Sequence, residues 1–250
     1  MALLLRIDVD KPFGHHALLP KLASKLSEET NWPLRWVQPY LPHCHAMIRM
    51  LDDAGISAFF YFRRCTAPSA ATLQLLADGG HQWGFHAEDT RSFESFEREL
   101  RFFENLVGQP VQHFTKHGSG QLKLGKHHYA PYEPDRYREW AQQLGIRYFS
   151  GNGTPASAAE LGAAEPGWWP QCFWLERHYR HPQLNQLEQL VAAAATQDVV
   201  MLAHPETWYT YRQVADDMQA LIWLMTTQQV KWKRDLTAPH TTAQKTAPAV

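Results

Sequence analysis

The sequence is poor in the features that place a protein at a glance. Its three cysteines, Cys44, Cys65 and Cys172, are too few and too scattered for a disulfide framework. No run approaches the ~20 apolar residues of a membrane span. The opening Met-Ala-Leu-Leu-Leu meets Arg6 short of the ~7–15 apolar residues of a secretory segment. A protein of the reducing cytoplasm is the expectation. Charge of one sign is also missing: 24 Lys+Arg against 25 Asp+Glu leave a formal charge of -1. Such a balance creates no field to draw a polyphosphate backbone or an anionic surface, so nucleic acid is not an expected partner. Internal repeats are absent. Residues 237–250, rich in Thr, Ala and Pro, read as a disordered tail.

What is present suits one sizeable core. Hydrophobic residues make up 44% of the 250, aromatics 12%, and there are ten Trp. α/β barrels routinely run to this length as one unit, so residues 1–236 are expected to form a single domain. Residues 2–9 are an apolar strand-length run with acids at its end. A helix is expected over 33–53, interrupted at Pro39 and Pro42, and a strand over 57–62. A helix over 70–77, a strand through Trp83 and Phe85 to His86, and an amphipathic helix over 92–107 come next. Strands near 111–116, 146–149, 173–175, 199–203 and 230–233 alternate with helices near 134–144, 184–195 and 212–227. The Gly/Ala/Pro/Ser stretch 150–167 reads as a surface excursion. Strands alternating with helices in this way point to a parallel barrel or a doubly wound sheet.

In either architecture the functional face lies beyond the strand C-termini. The polar residues found there are Asp8-Val9-Asp10, His86-Ala87-Glu88-Asp89, Lys116-His117-Gly118 and His204-Pro205-Glu206. Carboxylate oxygens together with imidazole nitrogens suit a transition-type divalent ion such as zinc, cobalt, nickel, manganese or iron, more than calcium. That ion activates a water and polarises a carbonyl, while a spare carboxylate takes a proton and a histidine supplies one.

Arg6-Ile7-Asp8-Val9-Asp10, Gly79-Gly80-His81-Gln82-Trp83-Gly84-Phe85-His86 and Val200-Met201-Leu202-Ala203-His204-Pro205 resemble the polysaccharide deacetylases of the carbohydrate esterase 4 type, in order and strand context, across most of the chain. The resemblance implies a distorted (β/α)7 barrel that hydrolyses N-acetyl, sometimes O-acetyl, groups on sugars with one metal ion, zinc first. It implies Asp8 as the base, Asp10 and His86 as metal ligands, and His204 as the acid. Two positions depart from the family pattern. Thr90 stands where a second metal histidine is usual, leaving the third ligand to Asp89, Glu88 or His117, with Asp89 the first choice. Lys116 stands near where an arginine would orient the base, and a lysine lacks the bidentate fork.

An Asp-x-Asp pair alone is more often a strand-end turn or a helix cap, and a lone histidine after a strand is more often an ordinary loop residue. The site is specific only as a set. His43-Cys44-His45 cannot converge on one ion from adjacent helical positions. Trp208 and Tyr209, just past His204, offer flat faces for a pyranose, against an equally good reading as packing. The leading expectation is metal-dependent deacetylation of an acetylated sugar or oligosaccharide. Its competitors are an inactive barrel that binds carbohydrate, and a glycosyltransferase in which Asp8-Val9-Asp10 serves a metal-bound nucleotide.

Overall fold

β1 (Ala2–Val9) is the strand that its apolar run predicts, and its two faces part at every residue. Leu3, Leu5, Ile7 and Val9 enter the main hydrophobic cluster, while Leu4 enters a second, smaller one. The period of two therefore carries Arg6, Asp8 and Asp10 on the same side as Leu4. The computed structural model describes residues 1–14, 17–37, 39–118 and 131–232, so the expected tail at 237–250 lies outside the described residues.

The same alternation recurs in β2 (Phe59–Phe62), β3 (Gln82–Ala87), β4 (His113–Lys116), β5 (Tyr148–Gly153), β6 (Trp168–Gln171), β7 (Phe173–Trp174) and β8 (Val199–Ala203). These pair in parallel in the order β6-β5-β4-β3-β2-β1-β8-β7, and β9 (Lys231–Trp232) pairs with the start of β1. The two ends of that order, β6 and β7, are separated in the chain by Cys172 alone. The sheet thus curls into a nearly closed barrel, the distorted (β/α)7 architecture that was expected. Its floor is filled by Leu4, Phe59, Tyr61, Trp169, Cys172, Val200 and Leu202. Gly84 makes room there, because a Cβ would stand 2.5 Å from the His113 carbonyl oxygen and 2.6 Å from the Tyr61 ring.

Around the barrel stand α2 (Pro42–Asp53), α3 (Ala70–Asp78), α4 (Phe93–Val107), α5 (Pro134–Leu144), α6 (Leu187–Thr196), α7 (Pro205–Thr210) and α8 (Arg212–Thr227), while α1 (Leu18–Thr30) packs at the Arg64–Thr66 turn. α4 shows how local chemistry sets the bounds. Ser92 accepts a hydrogen bond from the Ser95 amide at its start, and Gly108 closes it at φ 77°. Phe96, Leu100 and Phe103 are fully buried against the sheet, each worth roughly 1.5–3 kcal/mol.

Three expectations change. The helix expected over 33–53 is confined to Pro42–Asp53, because proline at 42 suits a first turn and not an interior. The separate helix α1 forms upstream, where the sequence had no amphipathic stripe facing a core. The excursion expected from 150 begins later: Ser150–Gly153 belongs to β5, and Trp168–Gln171 adds β6. Both strands are short and Gly- or Pro-containing, which weakens the periodic signal.

Candidate metal centre

The inward row of each strand continues one or two residues past its tip, and there the chemistry gathers. Asp10 follows β1, His86 stands near the end of β3, and His117 follows β4. Asp10 Oδ1 lies 3.4 Å from His86 Nε2 and 3.2 Å from His117 Nδ1, and the two ring nitrogens are 3.0 Å apart. One ligand atom from each of the three residues falls within 4.8 Å of the others. His86 Nδ1 hydrogen-bonds Thr115 Oγ1, which fixes the ring and leaves Nε2 to face Asp10. Burial drives His117 down to about 3, against the pull of Asp10 and with added lowering from Arg63 and His86. Its ring is therefore neutral with a lone pair to offer. Asp10 Oδ1 is buried without a hydrogen bond of good geometry. Two imidazole nitrogens and one carboxylate oxygen, mutually close, are a donor set that a zinc-like ion fits.

Beside them stands Asp8, buried and gripped by Arg6. Arg6 Nε donates to Asp8 Oδ1 at 2.8 Å and Nη2 to Oδ2 at 2.5 Å. The rest of the guanidinium is spent on β5: Nη1 donates to the Ser150 and Gly151 carbonyls at 2.8 Å each, and Nη2 to Asn152 Oδ1 at 2.7 Å. All five donors are satisfied, so the fork cannot swing. A side chain at 151 would break the arrangement, since its Cβ would fall 2.4 Å from the Pro170 carbonyl oxygen. Burial alone would raise Asp8, but the Arg6 charge, with His86 and the hydrogen bond from Arg6, holds it below the usual carboxylate range. Asp8 Oδ2 is 3.3 Å from His86 Nε2.

Across the mouth, His204 follows β8 and Glu176 follows β7. Glu176 Oε1 accepts from His204 Nδ1 at 2.9 Å and from Thr207 Oγ1 at 2.5 Å. Burial works against a charged His204, yet the Glu176 charge and hydrogen bond, with Asp10 and Asp8 beyond, push it up to about 10. His204 Nε2 faces Asp10 Oδ2 at 3.8 Å, and the ring stacks on Trp174 with centroids 6.0 Å apart.

Asp8, Asp10, His86, His117 and His204 thus meet in one mouth. Asp89, the first choice for third ligand, does not join them: it holds exposed Arg91 through both oxygens, at 2.7 and 2.6 Å. Glu88 is taken by Arg63, again through both oxygens at 3.0 Å, and Arg63 also donates to the Asp10 carbonyl at 3.0 Å. Thr90 is buried near the Tyr137 hydroxyl. Lys116 stands on the opposite side of β4 from Thr115 and His117, and its Nζ donates to the His117 and Gly118 carbonyls at 3.1 and 3.3 Å. The cation that grips Asp8 is Arg6. Trp208 packs partly buried on the main cluster, and Tyr209 is 38% exposed with its ring stacked on His43. Arg6, Thr115, Glu176 and Asn152 went unassigned in the sequence reading. Arg6 was legible, since residue i−2 of a strand shares the face of residue i.

No family model matches the sequence, and no curated protein matches it. The fold, however, is that of the polysaccharide deacetylases. A probable polysaccharide deacetylase from Pseudomonas aeruginosa PAO1 superposes with a TM-score of 0.50 at 11% identity, over 92% of this chain and 86% of that one. The catalytic domain of a peptidoglycan N-acetylglucosamine deacetylase from Eubacterium rectale ATCC 33656 gives 0.48 at 12% identity, over 95% and 90%. A CE4 family pseudoenzyme from Bacillus anthracis gives 0.47 at 13% identity, over 92% of this chain. This chain spans 62% of that pseudoenzyme, less than two thirds of its length. At such identities the likeness shows the fold alone. Among the described residues no helix is long and apolar enough to cross a membrane.

Proposed function

We propose that the protein is a metal-dependent hydrolase that removes an acetyl group, as amide or ester, from a sugar or oligosaccharide. The observation that carries this reading is the meeting of the Asp10, His86 and His117 donors with a separately held carboxylate and a separately held imidazole. Asp10, His86 and His117 would hold one divalent ion, zinc first among zinc, cobalt, nickel, manganese and iron. Such an ion, when bound, supplies Lewis acidity toward a carbonyl and a lowered pKa for water. Asp8 takes the proton of the attacking water, and its ionised state follows from the Arg6 fork. His204 gives its Nε2 proton to the departing amine or alcohol, and Glu176 keeps that proton in place through the other ring nitrogen. The binding-only alternative rested on Thr90 and on the lack of an arginine at Lys116; His117 supplies a nitrogen to the same cluster and Arg6 supplies the fork on Asp8, which weakens both motives.

The test is elemental analysis of purified wild type, Asp10→Ala, His86→Ala and His117→Ala, with acetate release from N-acetylated and O-acetylated saccharides measured alongside. About one equivalent of metal in wild type, lost from all three variants together with acetate release, is the expected result. A wild type that stays metal-free after incubation with each of the five ions, and releases no acetate, overturns the reading.

A further inference from the structure

Glu88 has the chemistry of a fourth ligand, yet it is tied away from the three donors. Ala87 of β3 packs outward in the main cluster, so Glu88, one residue past the strand, falls on the same side as His86. Its side chain is buried. Burial opposes its charge and Arg63 stabilises it, with His117 and His86 close enough to add to that. A buried carboxylate beside the two imidazoles of the candidate centre is a group that a divalent ion recruits. It is nevertheless outside the set of Asp10, His86 and His117, whose ligand atoms converge.

Arg63 accounts for the difference. It follows β2 directly, is buried, and grips both Glu88 oxygens at 3.0 Å while Nη1 donates to the Asp10 carbonyl at 3.0 Å. A bidentate grip fixes the plane of a carboxylate as well as its place. Arg63 is itself anchored: Thr66 Oγ1 accepts from its amide at 2.9 Å and donates to the Val9 carbonyl at 2.7 Å. The backbone of the β3 tip is held from the other side, where Glu99 of α4 accepts from the Glu88 and Asp89 amides through Oε2 at 3.0 and 2.8 Å. With its backbone pinned, Glu88 reaches the ion only by turning its side chain, and the Arg63 fork is what that turn breaks.

The consequence lies in coordination number. Zinc sites closed by four protein ligands are structural, whereas catalytic ones hold three and leave a position for water or substrate. We propose that Arg63 is a positioning residue that withholds Glu88 from the ion and so keeps a coordination position open. This rests on the metal-dependent reading given above.

The deciding measurement is zinc affinity, read by titrating the zinc-loaded full-length protein with a chelator. Arg63→Met leaves the Glu88 carboxylate without its cation, beside the ion. Zinc should then be held about tenfold or more tightly, while kcat for acetate release falls by roughly 10–100-fold. A merely structural Arg63 predicts the opposite sign, because losing its bond to the Asp10 carbonyl loosens a ligand. Adding Glu88→Gln to Arg63→Met should cancel the tightening and recover part of the activity. Glu88→Gln alone supplies a measurement that does not depend on the Arg63 variant folding: the visible bands of its cobalt form should keep the wild-type intensity, which reports coordination number. Zinc bound by wild type but held no tighter by Arg63→Met overturns this inference alone, as does tightening that persists in the double variant or a changed band intensity in Glu88→Gln. A wild type that binds neither zinc nor cobalt overturns it together with the metal-dependent reading.

Discussion

Two ion pairs flank the candidate metal centre, and they are built with opposite signs. In the Arg6–Asp8 pair a cation holds a carboxylate, the working group of the proposed reaction; in the Glu176–His204 pair a carboxylate holds an imidazole, the other proposed working group. Both are buried, so neither charge is screened by water, and removing one partner of such a pair strands the other at a cost of about 3–5 kcal/mol. They differ in reach. Arg6 and Asp8 share a strand, and the fork is braced by three residues of β5. Glu176 and His204 follow neighbouring strands, and Thr207 is the further brace on the carboxylate. Asp8 is therefore held more rigidly than His204.

The comparison breaks first at the working groups. Asp8→Asn keeps the shape and removes the proton acceptor, so kcat should fall by about 10²–10⁴ with bound metal retained. Metal lost from this variant would recast Asp8 as a ligand. Arg6→Lys tests the holder: charge is kept but the fork and most of its bonds to β5 are not, and we expect a drop of roughly 10²-fold in kcat together with a lower thermal midpoint. On the other side, Glu176→Gln should cost less, about tenfold to a hundredfold in kcat. It removes the charge that raises His204, so the alkaline limb of the rate profile should move to lower pH. An unmoved limb would separate His204 from proton donation. Thr115→Val, which leaves His86 without its Nδ1 partner, should weaken metal affinity by about 10–100-fold while both ion pairs stay intact.

One effect lies away from both pairs and bears on stability, not on activity. His113 is buried among Phe59, Tyr61 and Tyr148, and burial lowers it to about 4. Its folded value lies below its unfolded value of ~6.5. Its contribution is therefore complete above that unfolded value and is lost as pH falls toward the folded one, to a total of about 3 kcal/mol. Urea unfolding of His113→Leu at near-neutral and mildly acid pH should show a flatter decline than wild type. Equal slopes would place the acid sensitivity elsewhere.

How much of this the sequence carried depended on whether a residue follows a long apolar run. Asp8, Asp10, His86 and His204 end strands that read clearly, and so they could be found. His117 was visible but stood behind Asp89, because sequence adjacency to His86 suggested a ligand that the β3 tip in fact turns toward Arg91. Lys116 is deceptive in a related way: its charge is legible, but strand parity puts it on the other side from His117. Glu176 lies two residues past a two-residue strand, too short to announce a tip. The β5 carbonyls that brace Arg6 carry no side-chain signature at all. The fold class survived these misses because it rests on the alternation of elements, not on their bounds.

The seam of the barrel has a consequence for how the chain avoids its own kind. Among the described residues, β6 and β7 are the two rims without a strand partner on one side, and a rim is a template for another chain. One rim carries Pro170, which has no amide hydrogen to donate, and the other is two residues long. A foreign strand therefore finds an interrupted ladder on one side and almost none on the other. The gap that keeps the barrel from closing fully is also blunted against aggregation.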